Sequence, residues 1–523
     1  MKMLRAKSLV LALTALLGAA SGCGALLGLG DFTEGSGSGG AGGGGVATAA
    51  SVSSSSVGGS SSTGTGGTGG AGGTGGTGGA ACVPVAETCA SAADEDCDGL
   101  DCVRWAELLG AVGDQTVGGV AVDSAGNVFV GGVFSGMLQI DAGTTLTATG
   151  DDVYLIKLDP TGKVIWGQSF SAVTKPRVNG VAVDSAGNVA IAGTVDGSIN
   201  FGAGVQSLNF TAVGEFIAEL APDGKLRWGI LADRGDADHV GDVGFDAAGN
   251  VVVVGDSVDQ TIPATSLWFQ KRSSTGSLVW AKSLDTMAPI SLVAGGLAFD
   301  PTDPNRILLG GAFSGTVSLG GATLTSAGGL DAFLLESDAA GTIKVRKQYG
   351  GAGDQSITSV AFDADGNRVV LGTFTGDVNF GGGKLTSAGG KDIFVAKLNL
   401  GYSQIWAKQF GEASDQLSAR LAVSHAGDVF FTGMSAGNVD YGGGVITASA
   451  GFNLPLVKLQ AADGAHLWSK VFGDAADQAG VALAVMPDNG VVLGGNIAGS
   501  VDVGTGSKTS AGGVDSLLAR FAP

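Results

Sequence analysis

Between Val103 and Pro523 the apolar residues recur at every second position in short runs, separated by Gly, Asp and Asn. Alternation with a period of two marks strands that bury one face. Three kinds of stretch repeat in a fixed order. A tryptophan strand such as Lys163-Val-Ile-Trp166 comes first, a hairpin such as Val181-Ala-Val-Asp-Ser-Ala-Gly-Asn188 follows, and a strand such as Asp392-Ile-Phe-Val-Ala-Lys-Leu398 closes the unit. The tryptophans are Trp105, Trp166, Trp228, Trp280, Trp406 and Trp468, with Val345 in the fifth slot, so the period is roughly 60 residues. A period of this size made only of short strands predicts an all-β array, a β-propeller of four-stranded antiparallel blades.

One unit shows how the blade is expected to form. Ile357 to Phe362 alternates, Asp363-Ala-Asp-Gly-Asn367 turns, and Arg368 to Phe374 returns. An aspartate at the start and a glycine near the end are the chemistry of a tight hairpin loop with one left-handed residue. The same turn recurs at Asp123 to Asn127, Asp184 to Asn188 and Asp246 to Asn250. We label the strands A (Val-Ala-Val type), B (Asn-Val-Phe-Val type), C (Asp-x-Phe-Leu type) and D (tryptophan), each expected to run for about five residues as a meander. The tight A–B and C–D turns then share one face, and the longer B–C and D–A loops share the other, where a binding surface is expected. Seven A–B hairpins predict seven blades. The chain enters on a D strand and leaves on a C strand, so one blade is expected to join the two ends and close the ring.

Two features of the loop face invite chemistry. The D–A loops carry Gly113-Asp-Gln115, Gly353-Asp-Gln355, Ser414-Asp-Gln416 and Ala476-Asp-Gln478. Such pairs can meet a cation or a sugar hydroxyl. The structural reading, which we take, has each Asp capping its own turn and each Gln bonding to the neighbouring blade. The third blade, near residues 240–276, lacks the Asn-Phe-Gly-Gly insert of the others and carries Pro263, which predicts a notch as a place for a ligand.

The first hundred residues differ in kind. Lys2, Arg5 and Lys7 precede the apolar run Leu9 to Leu17, and small residues lead to Cys23. This has the order and size of a secretory signal. Residues 35–81 are almost wholly Gly, Ser, Thr and Ala, a composition that cannot bury enough surface to offset its chain entropy. As a flexible coil it would span roughly 35–40 Å. The expected organisation is a signal peptide over 1–22, a tether over 23–81, a Cys-rich acidic segment over 82–102 and the propeller over 103–523. Cys82, Cys89, Cys97 and Cys102 are an even, clustered set in an exported chain, which predicts two disulfides of undetermined pairing. Four thiolates binding zinc are the alternative. Among them runs Asp94-Glu-Asp-Cys-Asp-Gly-Leu-Asp101, where Asp94, Asp96, Asp98 and Asp101 can place oxygens around one calcium ion.

Charge narrows the partners. The 523 residues carry a formal net charge of −20, with 95 glycines and 11 prolines. A nucleic-acid binder needs a basic face, and the composition supplies none. The acidity favours solubility and a monomer.

Several resemblances add to this reading. The small residues before Cys23 resemble the lipobox of bacterial lipoproteins, with Ala20 where that family prefers Leu. The resemblance implies acylation, including palmitate, at Cys23, and Gly24 in place of an aspartate implies the outer membrane or cell surface. The Asp-Cys-Asp-Gly run resembles a metal-binding motif found beside linkers in bacterial surface proteins, and also the opening of an EF-hand loop, although its twelfth position is Trp105 and not glutamate. Asn179-Gly-Val-Ala-Val-Asp-Ser-Ala-Gly-Asn188, Phe374-Thr-Gly-Asp-Val-Asn-Phe380 and Asp331-Ala-Phe-Leu-Leu335 resemble the bacterial seven-bladed β-propeller repeat family over roughly 420 residues. That family implies a binding or scaffold role for proteins or glycans and no defined reaction. Asp159-Pro-Thr-Gly-Lys-Val-Ile-Trp166 loosely resembles the tryptophan-docking repeats of quinone-dependent dehydrogenases, which keeps an enzyme as the alternative, as does a glycan-processing propeller. However, four tyrosines and the histidines His239, His425 and His466 assemble no catalytic set in the sequence, and His425 falls in a turn.

Overall fold

A computed structural model describes residues 102–202, 213–232, 237–259, 264–284 and 291–523. The described residues contain no helix. They form five four-stranded antiparallel sheets, one seven-stranded sheet and three two-stranded ribbons. Each four-stranded sheet is an A–B–C–D meander, as the alternation predicts. In the seven-stranded sheet a single 20-residue strand, Val164–Val183, is D strand to one meander and A strand to the next. The first strand, Val103–Leu109, pairs with the last, Lys508–Phe521, so one sheet takes its D strand from the other end of the described chain.

The turns follow from their residues. Asp123 Oδ1 accepts the Ala125 amide at 3.0 Å and the Asn127 amide at 2.8 Å, and Gly126 takes φ +82°. The same bonds recur at Asp184, Asp246 and Asp363. Strands are longer than the five residues expected, seven to nine in most places, because pairing continues past the alternating cores. The insert between strands B and C, expected as a loop, forms a ribbon of its own in three sheets: Thr316–Leu319 with Ala322–Thr325, Asp377–Asn379 with Lys384–Thr386, and Val439–Asp440 with Val445–Ile446. In this insert Val378 and Phe380 are buried, and Phe380 packs on Tyr349 of the preceding sheet, 4.8 Å between ring centroids. Phe201 meets Phe170 in the same way at 5.2 Å. The sheet of A strand Ala237–Phe245 has no room for the ribbon, since its B and C strands pair as far as Asp259 and Ala264.

Packing is between sheets, in a succession of layers. The D-strand tryptophan is the recurring lock. Nε1 of Trp105, Trp166, Trp280 and Trp406 donates to the carbonyl of Pro160, Pro222, Ala339 and Ala461, each in the C–D turn of the next meander, at 3.0 to 3.2 Å. The turn glycine must be bare. A Cβ on Gly464, at φ +67°, would lie 2.6 Å from the Trp406 ring. The fifth slot inverts this arrangement. Val345 stands for the tryptophan, and Tyr402 stands at the glycine position with φ +65°. Tyr402 reaches back instead, donating its hydroxyl to Glu336, and the guanidinium of Arg368 lies 4.6 Å from the centre of its ring. Trp468 breaks the rule differently. In place of a next turn stand Cys102 and Ala522, the Ala522 amide donating to Cys102 O at 2.8 Å, and the Trp468 Nε1 has no acceptor.

Candidate functional site

The A strands sit at one edge of each meander and touch one another in series. Gln115–Val122 contacts Val164–Val183, which contacts Ala237–Phe245. Leu292–Phe299, Gln355–Phe362, Gln416–Val423 and Gln478–Val485 follow, and the last contacts Gln115–Val122 again. Every A strand carries a β-bulge at the same level. The extra residues are Gly118, Asn179, Gly241, Gly295 (followed by Gly296), Thr358, Ala419 and Val481. A bulge bends its strand and leaves a residue out of the ladder. Close approach of neighbouring strands demands a bare residue at Gly118, where a Cβ would lie 2.0 Å from Val178 O.

All these bulge residues line one cavity of about 390 Å³ at the common axis. Asp114, Ser135, Asp151, Lys175 and Arg177, from the loop-face ends of their strands, form its mouth. One step below the bulges the residues are small: Gly119, Gly180, Gly296, Ser359 and Ala482. Two are not. Arg420 projects across the axis, its Nη2 2.8 Å from Asn179 O and 3.9 Å from Asp242 Oδ1. Asp242 also accepts the amides of Val243 at 2.9 Å and Leu297 at 3.1 Å. Burial pushes its carboxyl above the usual carboxylate range, and Arg420 opposes that. His239 Nδ1 lies 3.1 Å from Asp256 Oδ1, which also accepts the Ala294 amide at 2.9 Å. Asn179 Oδ1 is buried without a hydrogen-bond partner. The cavity therefore carries Lys175 and Arg177 beside Asp114 and Asp151 at its mouth, and the Arg420–Asp242 pair at its floor.

The Asp-Gln pairs prove structural, with roles reversed from the expectation. The glutamine stays at home: Gln416 Nε2 donates to Ala436 O at 3.0 Å within its own sheet, and its Oε1 accepts the Glu412 amide of its own loop at 3.1 Å. Gln355 and Gln478 do the same, and Gln115 spans its loop likewise. The aspartate crosses to the preceding sheet. Asp354, Asp415, Asp477 and Asp114 accept the amides of Leu330, Lys391, Phe452 and Val514 at 2.9 to 3.0 Å.

Other expected sites fall elsewhere. Cys23, Cys82, Cys89, Cys97, Asp94, Asp96, Asp98 and Asp101 lie outside the described residues. Cys102 is buried beside Val103, Phe521 and Ala522. Among the described residues no group of three metal-ligating side chains comes together. The notch expected in the third blade falls on a connection, 260–263, outside the described residues, and the cavity takes only His239 and Gly241 from that sheet. His425 is exposed in its A–B turn. His466 lies beside Ser469, 3.0 Å away, and burial holds its pKa below the usual imidazole range. Sequence reasoning passed over Arg177, Asn179, Asp242 and Arg420, and weighed His239 only for a catalytic set. Aligning the starts of the A strands would have found them, because each stands where the repeat otherwise has a small or an uncharged residue.

Comparison with protein-family profiles and with curated proteins finds no match. Among solved structures the chain is similar to β-propeller proteins. One is a protein of unknown function from Dyadobacter fermentans (TM-score 0.41, 9% identity, 81% of this chain and 99% of that one). Another is YCF48 bound to a D1 peptide (0.39, 10% identity, 80% and 95%). A third is a europium-containing methanol dehydrogenase (0.37, 10% identity, 80% and 93%). These likenesses carry no argument about what this chain binds or does. Its own geometry, antiparallel meanders whose edge strands meet around an axis, is that of a propeller-type repeat fold.

Proposed function

We propose that the protein is an exported lipoprotein whose closed, seven-bladed propeller over 103–523 is a binding or scaffold module for proteins or glycans at the cell surface. The signal peptide (1–22) is removed, Cys23 is acylated, and residues 23–81 hold the propeller off the outer membrane as a leash. Cys82, Cys89, Cys97 and Cys102 pair as disulfides in a small staple that binds calcium through Asp94, Asp96, Asp98 and Asp101. The protein acts as a monomer and binds no nucleic acid.

The closed ring is supported by the series of A-strand contacts, which returns from Gln478–Val485 to Gln115–Val122, and by the Asp114–Val514 bond across the two chain ends. A binding role rests on the axial cavity, which has the size of small-molecule sites and is walled by main chain freed from its ladders at the bulges. An enzyme that processes glycans or uses a quinone is the competing reading, and the same experiment separates them. Cells expressing the full chain are fractionated with palmitate labelling, beside Cys23→Ser, and the purified protein is offered to glycan and surface-protein arrays with and without calcium. Label lost with Cys23→Ser, together with saturable capture of an unaltered ligand, supports the proposal. A Cys23→Ser protein that still partitions with membranes, or an array ligand that is consumed, would falsify it.

A further inference from the structure

Resting on that reading, we infer that the axial cavity recognises a hydroxy-carboxylate, such as an acidic sugar, through Arg177 and Lys175 at its mouth. In a repeat protein each position has a structural solution that recurs, and a departure from it needs another cause. The departures on the A strands converge on this one cavity. At the bulge level Asn179 replaces a residue that is elsewhere Gly, Ala, Thr or Val. One step further Arg420 and Asp242 replace Gly, Ser or Ala. On the loop side the Asp-Gln clasp gives way in the strand after Thr174 to Lys175-Pro176-Arg177, which puts two cations in its place.

The charges at the site are unequally free. Asp114 is held by the Val514 amide, Asp242 by two amides and Arg420, and Asp256 by His239 and an amide. Asp151 is exposed at the rim. Lys175 and Arg177 are exposed, and neither has an ion-pair partner among the described residues. In a chain of net charge −20 an unpaired Lys-x-Arg at the mouth of a concave site selects an anion against the background field. A guanidinium presents a fork that fits a carboxylate. Below it, Asn179 and the bulged main chain line the cavity and offer polar groups to a hydroxyl. A carboxylate with hydroxyls a few bonds away satisfies both levels together. A neutral sugar satisfies only the lower one, and a simple carboxylate only the upper.

The test is calorimetric titration of the full-length protein in detergent with galacturonate, digalacturonate, gluconate, galactose and acetate. We expect galacturonate or gluconate to bind at least about tenfold more tightly than galactose and acetate, and to weaken with added salt. Arg177→Gln and Lys175→Gln should each lower that affinity by about tenfold or more while leaving the thermal midpoint unchanged, since both side chains are exposed. Tighter binding of digalacturonate assigns the site to an acidic polysaccharide, and a preference for gluconate assigns it to a free hydroxy acid. Equal affinity for galactose and galacturonate, no heat from any acidic probe, or full affinity in both variants would overturn the inference. Capture of another ligand on the surface arrays would then leave the binding role standing without it.

Discussion

Four A strands begin with a buried glutamine, and three do not. Around Gln115, Gln355, Gln416 and Gln478 the loop edge is stitched twice, by the glutamine within its sheet and by the preceding aspartate to the sheet before. At the equivalent places in the other three stand Pro176, Asp238 and Leu292, so the glutamine is missing from all three. The irregular side gives the cavity its Lys175, Arg177, Asn179 and His239. The contrast teaches that recurrence in this molecule reports what the fold needs, whereas exceptions report what the recurrence does not explain.

The most damaging way to probe the regular side is to remove residues 103–109. Val103, Trp105, Ala106 and Leu109 are buried, so the loss should exceed about 5 kcal/mol and be felt in the global unfolding transition. An unchanged thermal midpoint would sink the idea that the ends hold the sheets together. Trp406→Ala should follow, at about 3–5 kcal/mol in denaturant unfolding. Trp166→Ala should cost less, because that ring is half-exposed. The inverted lock tests whether an exception can be structural. Tyr402→Gly or Val345→Trp alone should destabilise, and the pair together should recover about 1–3 kcal/mol of the summed loss in a double-mutant cycle. Strict additivity would show that the two positions do not share one slot.

Gln416→Ala should cost about 1–2 kcal/mol, from the orphaned Glu412 amide and Ala436 carbonyl. Leu292→Gln on the irregular side should return nothing comparable, a difference readable by urea unfolding of the two variants. The smallest effect concerns pH. Burial pushes the Asp392 and Asp515 carboxyls above their ordinary values. The folded state therefore holds these protons more tightly than the unfolded one, and their contribution to stability falls as pH rises through the raised values. Asp392→Asn should gain slightly on the parent near neutrality, and the gain should vanish on acidification. A gain that grows as the pH drops would reverse this sign.

The meanders, their order and the A–B turns were legible because each depends on local chemistry that repeats: alternation, an aspartate that binds two amides, a glycine at positive φ. The pairing of the first strand with the last was legible from strand order alone. The Tyr402–Val345 exchange was not, because its two halves lie in different units and neither is unusual without the other. Nor was the cavity, since Arg420, Asn179 and Asp242 stand out only once the A strands are aligned with one another, and they share a site only because strands far apart in the chain meet at the axis. The Asp-Gln pairs were recognised as structural, but their division of labour depends on which side of a loop each side chain leaves, and residue type does not fix that.

The ladder between Val103–Leu109 and Lys508–Phe521 has a consequence for how the molecule comes into being. Its final sheet cannot be completed until the last residues have been synthesised, so the earliest strand must wait, unpaired and apolar, while every other sheet assembles. Such a long-range pairing makes completion a late and slow event. It also means that a chain cut within Lys508–Phe521 leaves Val103–Leu109 without its partner.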